Sequence, residues 1–185
     1  MNCTSCKAGV LTAGFIDGQF KAHTCTKCGG IWILVEDFVA WKDKNPDFHF
    51  PTDTQWSEDE AADSTKALLC PMTGVIMRKC KVTAKTSHRI DYSHAVGGIW
   101  LDKGEWQLLK AEGVAGVLNN VVTQQWQNNL RSQSASHNFA EIYEAKFGGE
   151  TYAKIKEIRA WLDSQPNKAD LRAYLFAENP YSATL

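Results

Sequence analysis

Cys25-Thr26-Lys27-Cys28-Gly29-Gly30-Ile31-Trp32 is the stretch that decides the fold. Its Cys-x-x-Cys pair answers an earlier one, Cys3-x-x-Cys6, across eighteen intervening residues. Two such pairs at this separation have the spacing of a four-thiolate zinc ribbon. Each pair forms a tight turn that aims two sulfurs at one ion, so the intervening chain must leave and return as a hairpin. Ile16-Asp17-Gly18-Gln19 supplies its turn, because Asp-Gly suits a two-residue loop with positive φ. Leu11 to Ile16 and Gln19 to Thr24 have strand length.

Four thiolates suit tetrahedral Zn²⁺, with Cys3, Cys6, Cys25 and Cys28 as the ligands of one zinc per chain. The competing readings are a rubredoxin-type iron centre and a redox dithiol, although one pair would suffice for the latter. With every ligand from protein, no coordination position is left for a substrate water, so the site is structural. Metal ligation then supplies much of the folding free energy of so small a segment. His23, two residues before Cys25, is a weaker candidate ligand. Gly29-Gly30 allows a tight turn, and Leu34, Val35, Phe38 and Trp41 continue at helical spacing. Trp32 is expected to pack over the knuckle as core, with an exposed anchor as the alternative.

The stretch has an echo, Gly97-Gly98-Ile99-Trp100, displaced by 68 residues. Asp37-Phe38 falls on Glu105-Trp106 at the same shift, while Cys25 and Cys28 fall on Ser93 and Val96. At a shift of 67, Cys3 falls on Cys70 and Cys6 on Thr73. The pattern reads as an internal duplication whose second copy has lost three of four ligands. Cys70, Cys80, His88 and His94 are ligand types without knuckle spacing, so a second metal site there stays open.

These motifs, with Gly-Gly-Ile-Trp-Leu-Asp-Lys-Gly-Glu in the second copy, resemble the small bacterial zinc-ribbon family named after the ribbon of transcription factor IIB. The resemblance implies a zinc-binding ribbon at Cys3, Cys6, Cys25 and Cys28. The segment from Phe147 through Trp161 to Asn179-Pro180-Tyr181 is similar to the tail of longer members. The family carries no established chemistry onto these residues.

The remaining chain divides by composition. Residues 43–66 hold seven acids and two lysines and break at Asn45-Pro46 and Phe50-Pro51, which reads as a solvated acidic linker. Ser57 and Glu60 have capping-box spacing there, and the alternative reading folds Ser57-Glu58-Asp59-Glu60 back onto the basic second copy. Residues 67–112 carry seven basic and four acidic side chains. Arg78, Lys79, Lys81 and Arg89, with Trp100, are the candidate partner contacts, against the plainer reading of a solvated strand surface. Residues 113–185 are helical: a stripe from Val114 to Leu130, a break at Ser132 to Ser136, then helices around Phe139–Phe147, Tyr152–Leu162 and Leu171–Phe176. The first stripe is a core face or a homodimer seam.

The expected fold class is thus α+β, with a zinc ribbon at 1–42, an acidic linker at 43–66, a degenerate metal-free ribbon at 67–112 and a helical region at 113–185. A net charge of −1 gives no overall field for nucleic acid or an anionic membrane. No stretch approaches the ~18 apolar residues of a membrane span, and no leader pattern opens the chain. A cytoplasmic location is expected, where six Cys favour metal over disulfides. No Ser/His/acid set, phosphate-binding Gly loop or spaced carboxylate pair is present, so no enzyme activity is expected. The expected function is a zinc-binding interaction module with a protein partner. The alternatives are a nucleic-acid-binding or transcription-associated protein, and redox or zinc sensing through the four cysteines.

Overall fold

A computed structural model of the chain describes residues 1–54, 56 and 65–178. They form six strands and six α-helices, an α+β fold. The strands are β1 (Leu11–Ile16), β2 (Phe20–Cys25), β3 (Ile31–Leu34), β4 (Arg78–Lys81), β5 (Arg89–Ser93) and β6 (Gly98–Leu101). They make one antiparallel sheet in the order β1-β2-β3-β6-β5-β4. The turn between β1 and β2 has positive φ at Asp17 and Gly18, as Asp-Gly demands.

The sheet has two three-stranded halves joined at β3 and β6. Trp32 faces Trp100 in register, with Ile31 opposite Leu101 and Ile33 opposite Ile99. Residues alternate between faces along a strand, so both tryptophans lie on one face and the aliphatic neighbours on the other. A Cβ on Gly30 would collide with the Trp100 indole, and one on Gly98 would collide with that of Trp32. Each half's second glycine is therefore the floor on which the other half's tryptophan lies. Both indoles are 0% exposed. Trp100, expected as a partner contact, is interior for this reason.

On the aliphatic face, α1 (Val35–Lys44), α2 (Glu105–Ala111) and α3 (Leu118–Val121) cover the sheet. Phe20 is the hub of an aromatic cluster there, with Phe38 and Trp106 edge-on at 5.2 and 5.8 Å. Phe48 and Phe50 join it, which corrects the expectation of a solvated linker beginning at residue 43. The acids set that segment's composition, but burying the Phe50 ring is worth about 2 kcal/mol, with less from the half-buried Phe48, and fixes its path. Lys42 Nζ holds the bend by donating to the carbonyls of Pro46 and Phe48. The proposed Ser57–Glu60 cap lies outside the described residues.

The helical region also departs from the expected boundaries. Val114, Leu118, Val121, Val122 and Leu130 are buried, so this stripe is core rather than a dimer seam. A 3-10 turn (Ala115–Val117) precedes α3, and α4 (Gln124–Phe147) begins where the Thr123 hydroxyl accepts the Trp126 N–H. It runs through Ser132–Ser136 without a break: Ser, Gln and Asn cost only tenths of a kcal/mol in a helix, and no Gly or Pro intervenes. The chain divides into compact units at 1–133 and 134–185, so the two ribbons share one unit with the first helical turns beyond them. The second unit contains the end of α4, then α5 (Gly149–Ser164) and α6 (Lys168–Phe176). Phe139, Tyr143 and Phe147 stack at one-turn intervals along α4. No helix among the described residues is long and apolar enough to cross a membrane.

Candidate metal centre

Two tight loops at one end of β1–β3 carry the four cysteines. In the first, the Cys3 N–H donates to the Gly9 carbonyl and the Cys6 N–H points at the Cys3 sulfur. In the second, the Cys25 N–H donates to the Gly30 carbonyl, and the Gly29 N–H returns to that of Cys25. Gly29 has φ +73°, which a side chain would resist. Gly9 is a site residue that sequence reading missed: a Cβ there would collide with the Cys25 sulfur. Its signal is a glycine following a Cys-x-x-Cys pair, as Gly29-Gly30 follows the other.

The result is one compact cluster. Cys3 Sγ lies 3.6 Å from Cys28 Sγ, and Cys6 Sγ lies 3.7 Å from Cys25 Sγ. All four sulfurs fall within 4.8 Å of one another. Tetrahedral Zn–S bonds of ~2.3 Å require sulfurs ~3.8 Å apart, so the cage fits one zinc ion. His23 lies on β2 opposite Trp32 and outside this cluster.

Backbone N–H groups favour the thiolate form at Cys6 and Cys25, while burial raises Cys3 and Cys28. Burial pushes the Cys25 thiol up, but the N–H groups of Cys28 and Lys27 aimed at its sulfur bring it to about 6. Burial leaves Cys28 pushed up to about 12. The sulfurs pack with Trp32 and Trp100 in the core on this face, so a zinc ion held by them would be tied to the seam between the halves.

The corresponding place in the second half keeps the loop without the ligands. The Cys70 N–H donates to the Val75 carbonyl, and the Gly74 N–H to that of Cys70, the bond pattern of the Cys25 loop, whereas the loop at Cys3, with which Cys70 aligns, closes one residue wider from the Cys3 N–H to the Gly9 carbonyl. Burial raises the Cys70 thiol, but the Ser93 and Thr73 hydroxyls and nearby N–H groups outweigh it and lower it. The Ser93 hydroxyl makes no bond of ordinary geometry, so its influence is that of a nearby dipole. Cys80 packs in the core on the other face of the sheet, and His94 is exposed. Among the described residues, Cys70, Cys80, His88 and His94 form no second cluster.

The cations expected on the second half do converge. Arg78, Lys79, Lys81 and Arg89 line one cavity with Arg131, Gln124 and Gln127 of α4. Sequence reading missed the α4 members because nothing in their spacing ties them to β4.

Residues 2–44 match the family described as transcription factor zinc-finger, the TFIIB-type zinc ribbon. No curated protein and no solved structure matches the chain.

Proposed function

We propose that this protein is a non-enzymatic binding protein in which one structural zinc fixes the first half of a paired ribbon. The observation that carries the reading is the closed ligand set: four sulfurs from the chain fill a tetrahedron and leave no position for substrate or water. The two halves are read as copies of one ribbon, on the strength of the repeated Gly-Gly-Ile-Trp and the reciprocal glycine–tryptophan contacts it makes. The first copy keeps the metal, and the second is free to vary its surface for a partner.

Cobalt substitution tests the closed site. The expected product has one Co²⁺ per chain and a tetrathiolate spectrum that added azide or imidazole leaves unchanged. A spectrum altered by either ligand would reveal an open position and overturn the non-enzymatic reading. Affinity capture then addresses the partner. A protein partner retained after nuclease treatment supports the interaction module. Nucleic-acid binding is the second reading, favoured by the cations of β4 and β5; partners lost on nuclease treatment would support it.

A further inference from the structure

We propose that the cavity between β4, β5 and the start of α4 is a binding site for a compact polyphosphate anion. The proposal deepens the binding-module reading and rests on it, but not on the zinc.

The cavity is about 400 Å³, within the range of small-molecule sites. Three arginines and two lysines line it, with no carboxylate among the lining residues. Among the described residues, the acid ion-paired with these cations is Asp91, which is buried and pairs with Lys79 at 3.1 Å. Lys81 and Arg89 face each other directly in the β4–β5 register. Like charges opposed across a pair of strands destabilise a sheet. Among the described residues neither side chain has an acidic partner. Among the described residues Arg131 bonds only to the amide oxygen of Asn128. A multivalent anion removes this repulsion, and guanidinium groups suit phosphate oxygens because each offers paired donors.

The walls are set in advance. Arg78 donates to the Val122 carbonyl and to Gln124 Oε1, and lies over the Tyr92 ring. Gln127 clasps the outer strand, accepting the Lys81 N–H at 3.0 Å and donating to the Lys81 carbonyl at 2.8 Å. α4 therefore seals the sheet edge and brings Arg131 to the cavity in the same contact. Holding cations in place before the ligand arrives cuts the entropy cost of binding. The charge is no property of the ribbon frame, since the opposite edge strand, β1, carries no charged residue. A concave pocket favours a compact anion over an extended phosphodiester chain.

Calorimetric titration of the zinc-loaded full chain with inorganic tripolyphosphate is the test. The expected result is one site per chain, with affinity falling at least about threefold from about 50 to about 200 mM salt. Lys81→Gln/Arg89→Gln should weaken binding at least about tenfold. It should also raise Tm, because the cross-strand repulsion is gone, and a misfolded variant would not do that. Lys21→Gln, on β2, should bind as the parent does. Absent binding, or equal binding by the double variant, would overturn the site. So would a single-stranded oligonucleotide that binds through Lys81 and Arg89 and is not displaced by tripolyphosphate. Hydrolysis of tripolyphosphate lost in the double variant would support the site while overturning the non-enzymatic reading.

Discussion

The two halves of the sheet solve one folding problem with different means. In β1–β3 four sulfurs converge, and a metal ion can tie the two loops together. In β4–β6 the loop at Cys70 closes on the two backbone bonds of the Cys25 knuckle with one sulfur left. What replaces the metal is burial: Leu68, Cys70, Met77 and Trp100 are all interior on this face. The knuckle is therefore a backbone conformation that a metal reinforces, rather than one that only a metal creates. The ligand positions of the second half are free of coordination, and the charge of the molecule's basic cavity is gathered in that same half.

The largest effect should come from the metal itself. Cys25→Ser should abolish zinc binding and lower stability by several kcal/mol, whereas Cys70→Ser should keep one zinc and cost about 1 kcal/mol or less. Metal analysis with denaturant unfolding checks both, and equal losses would break the contrast between the halves. Acidification should release the zinc from the parent, since protons compete for the same thiolates.

The contrast can also be reversed. Thr73→Cys/Ser93→Cys/Val96→Cys rebuilds a four-sulfur set with Cys70. Two zincs per chain and a higher Tm are expected, because an ion that binds only the folded chain stabilises it. A chain that still takes one zinc would mean the second frame has drifted too far to hold a tetrahedron.

A third effect concerns the seam. Gly98→Ala should cost about 1–3 kcal/mol by driving Trp32 out of place. In a Trp32→Leu background the same change should cost less, with a coupling of about 1 kcal/mol or more. Strict additivity in that cycle would remove the reciprocal packing from the account.

The smallest difference lies in how the two indoles are satisfied. Trp100 Nε1 donates to Asp102 at 2.9 Å, whereas Trp32 Nε1 is buried with no hydrogen-bond partner among the described residues. At an offset of 68, the residue corresponding to Asp102 is Leu34. Asp102→Ala should cost about 1 kcal/mol, and Leu34→Ala should leave the Trp32 N–H as it was. Fluorescence of the two tryptophans reports which environment changes.

Much of this was legible in the chain because it is local. Cys-x-x-Cys fixes a turn, Asp17-Gly18 fixes a hairpin, and Phe38 with Trp41 marks a helical face. The four-sulfur cage follows from two spacings alone. What escaped was set by partners distant in sequence. Trp100 reads equally as apolar packing or as a partner contact, and only Gly30 beneath it decides between the two. Phe48 and Phe50 are hidden within an acidic stretch, whose charge says solvent while its rings say core. Ser132–Ser136 reads as a break by composition, yet its residues carry no steric bar to a helix. Arg131 joined the basic cavity only when Gln127 was seen to clasp β4.

The reciprocal glycine–tryptophan seam has a consequence for the order of folding. During synthesis the first ribbon emerges early and can take up zinc, but Trp32 has no surface to close on until Gly98 has been made. The β3–β6 pairing is thus a long-range contact whose loop-closure entropy must be met before its packing is gained. Until then the newly made chain carries an open strand edge with an indole on it, the kind of edge that invites pairing with another chain. Zinc bound early orders the waiting strand, and the late β6 completes it.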